Sequence, residues 1–186
     1  MEAIKKIGLN KIAKVILIAI LGTLLLTISA KIKIPFYPVP MTMQTFIVLF
    51  LGITLGPKIG LLTVSLYLFE GIFGLPVFAG TPEKGIGFVY FTGPTMGYLI
   101  GFLVAVYFAG SFKYDKGPIN TFLKLIFSVS FIYILGLIWL GTLIGWDKPI
   151  FELGAEPFLL AELFKMLLLL LLVPTLLKTK KLIRFI

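Results

Sequence analysis

Long apolar runs are the feature that most constrains this chain. Six of them, bounded by charged residues or by glycine and proline, occupy most of its 186 residues. A helix needs about 20 apolar residues to cross a bilayer, so six spans with short loops fit this length. Only 13% of the residues are charged, whereas roughly a quarter are charged in soluble domains. The sequence therefore predicts an all-α integral membrane protein and excludes a soluble globular or disordered chain.

The predicted spans are separated by turns rich in glycine and proline. They cover residues 15–30, 43–55, 61–73, 93–110, 121–144 and 157–177. Three prolines between residues 35 and 40 cannot continue a helix, so this stretch is predicted to be an outer loop. Gly93 and Pro94 are expected to open the fourth span, since proline suits a first helical turn. We expect a single transmembrane domain over residues 1–186.

The distribution of basic residues predicts the orientation. With both termini inside, twelve of the 17 lysines and arginines lie on the inner side. Four lie in the outer loops, namely Lys31, Lys33, Lys84 and Lys148, and Lys165 falls within the sixth span. This asymmetry follows the positive-inside rule and predicts cytoplasmic termini. It also explains the net charge of +9 without a nucleic acid partner.

The chain contains no cysteine and no histidine. It therefore has no disulfide framework and no thiol nucleophile. The commonest general base and metal ligand is also missing. We expect neither an enzyme nor a metal site nor a cofactor.

Charged residues inside the predicted spans are the candidate functional groups. Glu162 and Lys165 lie three residues apart and share one helix face. Lys165 lies about 12 Å into the sixth span at the helical rise per residue, and a charge there is a functional candidate. The alternative is a self-neutralising pair whose lysine extends toward the interface. Glu70, near the outer end of the third span, is either a further site residue or an interfacial carboxylate.

Small residues recur at every fourth position in three rows. The rows are Ala19, Thr23 and Thr27, then Gly52, Gly56 and Gly60, then Gly93, Gly97 and Gly101. Such spacing lets helix backbones approach closely in lipid. Packing within this chain is the favoured interpretation, and docking against another membrane subunit is the alternative.

Four segments, in their order and spacing, resemble a known family. They are residues 38–45 (PVPMTMQT), 55–60 (LGPKIG), 71–80 (GIFGLPVFAG) and 93–102 (GPTMGYLIGF). Together they resemble the BioY family, the biotin-specific S components of energy-coupling factor (ECF) transporters. The resemblance extends from about residue 15 to residue 178.

The resemblance implies a fold, a ligand and partners. The fold is a six-helix S-component bundle with cytoplasmic termini, in the cell membrane of a prokaryote. The ligand is biotin, and the partners are a transmembrane coupling subunit and two ATPase subunits. Small residues on the first span of this family contact the coupling subunit, and the matching row is Ala19, Thr23 and Thr27.

The resemblance also implies a pocket. The family uses an acidic residue and a lysine three positions later in the last span, which match Glu162 and Lys165. The start of the fourth span, with Thr95 and Tyr98, lines the same pocket. We expect apolar walls from Phe36, Phe78, Tyr90 and Tyr98. Glu162 would accept from the ureido nitrogens, and Lys165 would donate to the ureido oxygen or to the carboxylate tail. The biotin carboxylate would meet Lys84 or the backbone N–H groups of residues 93–95.

Other functions stay open. An S component for a different vitamin would have the same fold, and a carrier could work without partner subunits. A membrane enzyme that uses Glu70 and Glu162 as acid and base is disfavoured, because no nucleophile motif supports it. A channel is disfavoured because the second, fourth and fifth spans contain almost no polar residues.

Overall fold

Seven helices and one short ribbon make up most of the described chain. The computed structural model describes residues 2–34, 41–83 and 85–183. The helices are α1 (Glu2–Lys31), α2 (Gln44–Ile72), α3 (Gly87–Phe91), α4 (Met96–Ser111), α5 (Gly117–Ile144), α6 (Ile150–Gly154) and α7 (Glu156–Ile183). The strands β1 (Lys33–Ile34) and β2 (Met41–Thr42) pair antiparallel, with Lys33 opposite Thr42.

Helix α2 reverses direction at Gly56 and so consists of two arms, residues 44–55 and 57–72. Gly56 has φ 78° and ψ 175°, and the following Pro57 has no N–H for a helical hydrogen bond. The Gln44 side-chain amide donates to the Tyr67 hydroxyl at 2.7 Å, although a straight helix would separate these residues by about 34 Å. The arms are therefore antiparallel, as the predicted second and third spans and the turn between them require.

Helix α2 lies at the centre of the bundle and packs against α1, α4 and α7, while α4 packs against α5. Glycines make these contacts close. A Cβ at Gly52 would meet the Val106 carbonyl of α4, and one at Gly101 would meet the Ile132 backbone of α5. Two of the small-residue rows thus pack inside this chain. The core includes Val48, Ile53, Val64, Tyr67, Val106 and Leu125.

The third small-residue row faces the chain's own helices. Ala19 and Thr23 are each only 2% exposed, and Thr27 is partly buried and donates to the Thr23 carbonyl at 2.8 Å. The coupling-subunit contact through this row stays a prediction. The face of α1 that a partner could reach is aliphatic and includes Ile16, Leu17, Leu21, Leu24 and Ile28.

Within the described residues, four helical stretches are long and apolar enough to cross a membrane. They are Lys11–Lys31, Gln44–Ile72, Gly117–Ile144 and Glu156–Lys178. Met96–Ser111 is apolar but shorter. Large aliphatic and aromatic side chains cover the outside of these helices, which suits a lipid environment. The chain is a multi-pass membrane protein.

Some elements differ from the predicted ones. Helix α4 begins at Met96 with Thr95 as its N-cap, so Pro94 precedes the helix and does not lie in its first turn. The ribbon and the five-residue helices α3 and α6 were not predicted. Elements this short contain too few residues to show a hydrophobic period.

Candidate functional site

A cleft lies between β2, the first arm of α2, α4, α5 and α7, with the loop after α2 and α3 forming one wall. The empty space within it and at its open side amounts to about 570 Å³. Six of the predicted site residues line it together: Phe78, Tyr90, Thr95, Tyr98, Glu162 and Lys165.

A buried ion pair lies on the α7 side of the cleft. Glu162 is 4% exposed and Lys165 is 8% exposed, and the Lys165 ammonium donates to Glu162 Oε1 at 2.7 Å. Both side chains begin near the start of α7, where the i,i+3 spacing brings them to one face. The two side chains form the self-neutralising pair of the alternative interpretation, but the lysine does not extend toward the interface, because its ammonium points into the protein.

Residues of β2 and the first arm of α2 complete the surroundings of the pair. The Lys165 ammonium also donates to the Thr42 carbonyl at 2.6 Å and to Thr45 Oγ1 at 3.2 Å. The Thr45 hydroxyl donates to Glu162 Oε1 at 2.7 Å. The Tyr133 hydroxyl of α5 interacts with the same carboxylate. Burying two charged groups is costly unless each makes enough hydrogen bonds. The contacts with Thr42, Thr45 and Tyr133 provide such bonds to the ammonium and the carboxylate.

Aromatic rings form the opposite wall. Phe78 stacks on Tyr90 with ring centroids 5.3 Å apart and meets the edge of Tyr67 at 5.5 Å. A Cβ at Gly71 would overlap the Phe78 ring, so glycine there lets the ring lie against α2. The Tyr90 hydroxyl accepts from the Gly80 N–H at 3.1 Å. Burial raises the pKa of Tyr90, so its hydroxyl stays neutral and able to donate.

A lysine of α1 holds this wall in place. The Lys31 ammonium donates to the carbonyls of Phe78 and Thr81 at 3.0 and 2.7 Å. It also donates to Thr81 Oγ1 at 3.2 Å. These bonds tie the loop that carries Phe78 to the end of α1.

Tyr98 joins α4 to α5 and α6 at the side of the cleft. Its hydroxyl donates to the Gly154 carbonyl at 2.8 Å, and its ring lies over Gly136, where a Cβ would overlap it. The indole N–H of Trp139 donates to the Gly93 carbonyl at 2.9 Å. These bonds fix the start of α4, where Thr95 lines the cleft.

Of the remaining predicted site residues, one is described and lies outside the cleft. Glu70 does not line it, because its carboxylate lies on the α1 side of α2 and accepts from the Thr23 hydroxyl at 3.1 Å. Phe36 lies outside the described residues, as does Lys84, one of the candidate partners for a ligand carboxylate.

Several lining residues were missed by the sequence reasoning. They include Thr42, Gln44, Thr45, Tyr133 and Phe158. A signal existed for Gln44 and Thr45, since they end the motif at residues 38–45 and stand at the start of an apolar span. Tyr133 gave no signal, because a tyrosine in an apolar helix is common.

The two sides of the cleft differ in chemistry. It offers a carboxylate, an ammonium and hydroxyls on one side and aromatic surface on the other. No group of three or more His, Cys, Asp or Glu side chains that could hold a metal occurs among the described residues. A polar ligand head with both donors and acceptors, attached to an apolar body, fits this arrangement.

The comparison with protein families is decisive. The model of the BioY family matches residues 3–182. The chain belongs to the BioY family. This is a family of transporter S components, not of enzymes, so the chain is an S component.

Relatives of known name support this membership. The chain is 35% identical over 153 residues to the probable biotin transporter BioY of Pyrococcus horikoshii. The aligned region covers 82% of this chain and 90% of that protein. It is 35% identical over 145 residues to the biotin transporter BioY of Thermotoga maritima, covering 77% and 84%. The crystal structure of the S-component for biotin from an ECF-type ABC transporter matches with a TM-score of 0.75 and 26% identity, over 91% of this chain and 93% of that chain.

Proposed function

We propose that this chain captures biotin outside the cell for import by an ECF transporter. The observation that carries the proposal is the buried Glu162–Lys165 pair, which faces the Phe78–Tyr90 wall across one cleft. The names of the relatives and of the matching crystal structure support biotin as the ligand. Biotin is the cargo of this protein and not a cofactor.

The chemistry of biotin matches the two sides of the cleft. Its ureido group has two N–H donors and one oxygen acceptor, and its thiophane ring is apolar. The Glu162 carboxylate accepts from the ureido N–H groups. The Lys165 ammonium keeps its hydrogen bonds to Glu162 and the Thr42 carbonyl. It exchanges its longer bond to Thr45 Oγ1, 3.2 Å, for one to the ureido oxygen, because an ammonium has three N–H donors. The thiophane ring packs against Phe78, Tyr90 and Tyr98, and the backbone near Thr95 meets the carboxylate tail.

In the proposed topology the chain crosses the membrane six times as one transmembrane domain. The arms of α2 each form one crossing, because the reversal at Gly56 prevents a single straight one. Both termini lie in the cytoplasm and the cleft opens outward. The lysine-rich turn at residues 112–116 and the basic tail then face the cytoplasm, as the positive-inside rule favours.

The proposed partners are the coupling subunit and two ATPase subunits of an ECF transporter in a prokaryotic cell membrane. The similarity to an S-component of such a transporter supports this assignment. The exposed aliphatic face of α1, which includes Leu17, Leu21 and Leu24, is the surface we assign to the coupling subunit. ATP hydrolysis by the partners then drives import.

Calorimetry on the purified chain tests the ligand and the pocket together. We expect tight biotin binding and no binding of lipoate, which has a similar acid tail but no ureido group. Lys165→Met should weaken biotin binding by about 2 kcal/mol or more, or about 30-fold, as expected for breaking a buried charge pair. Lys178→Met, at an exposed position of the same helix, is the matched control and should bind as the wild type does.

A second variant separates lost binding from lost folding. Glu162→Gln with Lys165→Met leaves no unpaired buried charge, so it should fold and still fail to bind biotin. Wild-type protein that is folded but does not bind biotin would contradict the proposal and point to another vitamin. Equal affinity for biotin in the double variant and the wild type would show that biotin binds outside this cleft.

A further inference from the structure

A second groove lies between α4 and α5 at the other end of the bundle from the cleft. It is lined by Phe108, Phe112, Asn120, Leu123, Lys124 and Phe127 and encloses about 640 Å³ of empty space, much of it open. A Cβ at Gly110 would meet the Pro57 backbone, so the reversal of α2 lies at this same end. Along α4, the last residue of the cleft, Phe102, and the first residue of the groove, Phe108, are about 9 Å apart at the helical rise per residue.

Aromatic rings give the groove a fixed apolar floor. Phe108 and Phe127 meet edge to face with centroids 5.3 Å apart, and Phe108 and Phe112 stack at 6.2 Å. Leu123 is 57% exposed and Phe127 is 45% exposed. This surface faces outward from the bundle, where lipid chains would contact it.

The rim of the groove carries positive charge, and the ammonium of one of its lysines is held in place. The Lys124 ammonium donates to the Lys113 carbonyl at 2.6 Å and lies 5.9 Å from the centre of the Phe112 ring. This hydrogen bond uses one of its three N–H groups. The neighbouring turn adds Lys113 and Lys116, against a single carboxylate, Asp115.

An amide oxygen at the same place lacks a partner. Asn120 Oδ1 is buried and accepts no hydrogen bond from any described residue. A buried acceptor without a partner is costly, so a bound donor there would stabilise the site. The groove thus combines an apolar floor, cations at the rim and an acceptor awaiting a donor.

We propose that this groove binds an anionic phospholipid with a hydroxylated headgroup, of the phosphatidylglycerol type. An acyl chain lies over Phe108, Phe112 and Phe127, and the phosphate meets Lys124. The Asn120 amide, whose buried Oδ1 lacks a partner, turns toward the groove and accepts from a headgroup hydroxyl. Basic pockets between membrane helices are known to take such headgroups. The site is separate from the proposed biotin cleft and does not depend on it.

Native mass spectrometry of the purified full chain tests this proposal. The probes are phosphatidylglycerol and phosphatidylcholine with identical acyl chains, added at equal concentrations. We expect the wild type to prefer phosphatidylglycerol and Lys124→Gln to lose about fivefold in affinity for it, the effect of removing one lysine near an anionic headgroup. Lys148→Gln, an exposed lysine outside this groove, is the matched control and should keep the preference.

A further variant tests the acceptor. Asn120→Leu should lower phosphatidylglycerol binding while phosphatidylcholine binding stays constant, and biotin binding should be unchanged in every variant. The proposal is overturned if the wild type binds both lipids equally. It is also overturned if Lys124→Gln and Lys148→Gln lose binding to the same extent, which would indicate attraction by net charge alone.

Discussion

The three hydrogen bonds of the Lys31 ammonium end on the loop that carries Phe78. Phe78 in turn stacks on Tyr90, so a residue outside the proposed pocket positions one of its walls. We expect Lys31→Met to lower biotin affinity about five- to tenfold, corresponding to the loss of about 1 kcal/mol of hydrogen bonding. The loss should appear in the dissociation rate, because the wall no longer stays closed over the ligand.

Stopped-flow measurement of biotin association and dissociation checks this prediction. Lys14→Met, at an exposed position of the same helix, is the control and should leave both rates unchanged. A fall in thermal stability of Lys31→Met with no change in the dissociation rate would show that Lys31 supports the fold alone.

Residue chemistry predicted the centre of the candidate site but not its periphery. Glu162 and Lys165 were predictable because charged residues are costly within an apolar helix. Thr45, which bonds to both of them, lies more than 100 positions away in sequence. Only the packing of α2 against α7 brings it there, and that packing carries no local sequence signal. The position of Glu70 outside the cleft was equally hidden, because its partner Thr23 lies on another helix.

At the scale of helices, glycine spacing fixes which elements touch. A Cβ at Gly97 would overlap the Leu135 carbonyl and crowd Trp139 of α5. We therefore expect Gly97→Val to separate α4 from α5 and to lower the free energy of unfolding by about 1–3 kcal/mol, the usual cost of overpacking. The resulting shift of Tyr98 should also weaken biotin binding.

Thermal unfolding in detergent measures the effect. Ser111→Val places the same β-branched side chain at the exposed end of α4 and should leave the melting temperature within error of the wild type. A stable Gly97→Val variant would mean that α4 and α5 are less closely packed than these contacts indicate.

Which face of a helix is buried was harder to predict from the sequence than where the helix lies in the chain. The rows of small residues were evident from their spacing, but α1 is apolar on every side, so its sequence did not indicate which face is buried. The structure turns Ala19 and Thr23 inward and leaves a leucine-rich face outside. In contrast, the Gly56-Pro57 pair predicted the reversal of α2, because its conformational restrictions are local.

At the scale of the whole molecule, the proposed topology places the cleft and the lysine-rich turn on opposite sides of the membrane. The natural chain contains no cysteine, so any introduced cysteine is a unique reporter. Lys148→Cys, between α5 and α6, should react in intact cells with a maleimide that cannot cross membranes. Lys116→Cys, in the turn between α4 and α5, should react only after the cells are permeabilised.

Both positions are exposed, so a difference in labelling reports the side of the membrane and not burial. Lys58→Cys, beside the reversal of α2, supplies the deciding third position. An even number of crossings separates Lys58 from Lys116 if the second arm of α2 and α4 each cross once, so the two must label alike. Labelling of Lys58→Cys and Lys116→Cys from opposite sides would contradict the six-crossing topology. Labelling of both from outside, with Lys148→Cys protected, would keep the crossings and invert the proposed orientation, leaving the cleft unable to capture biotin from outside the cell.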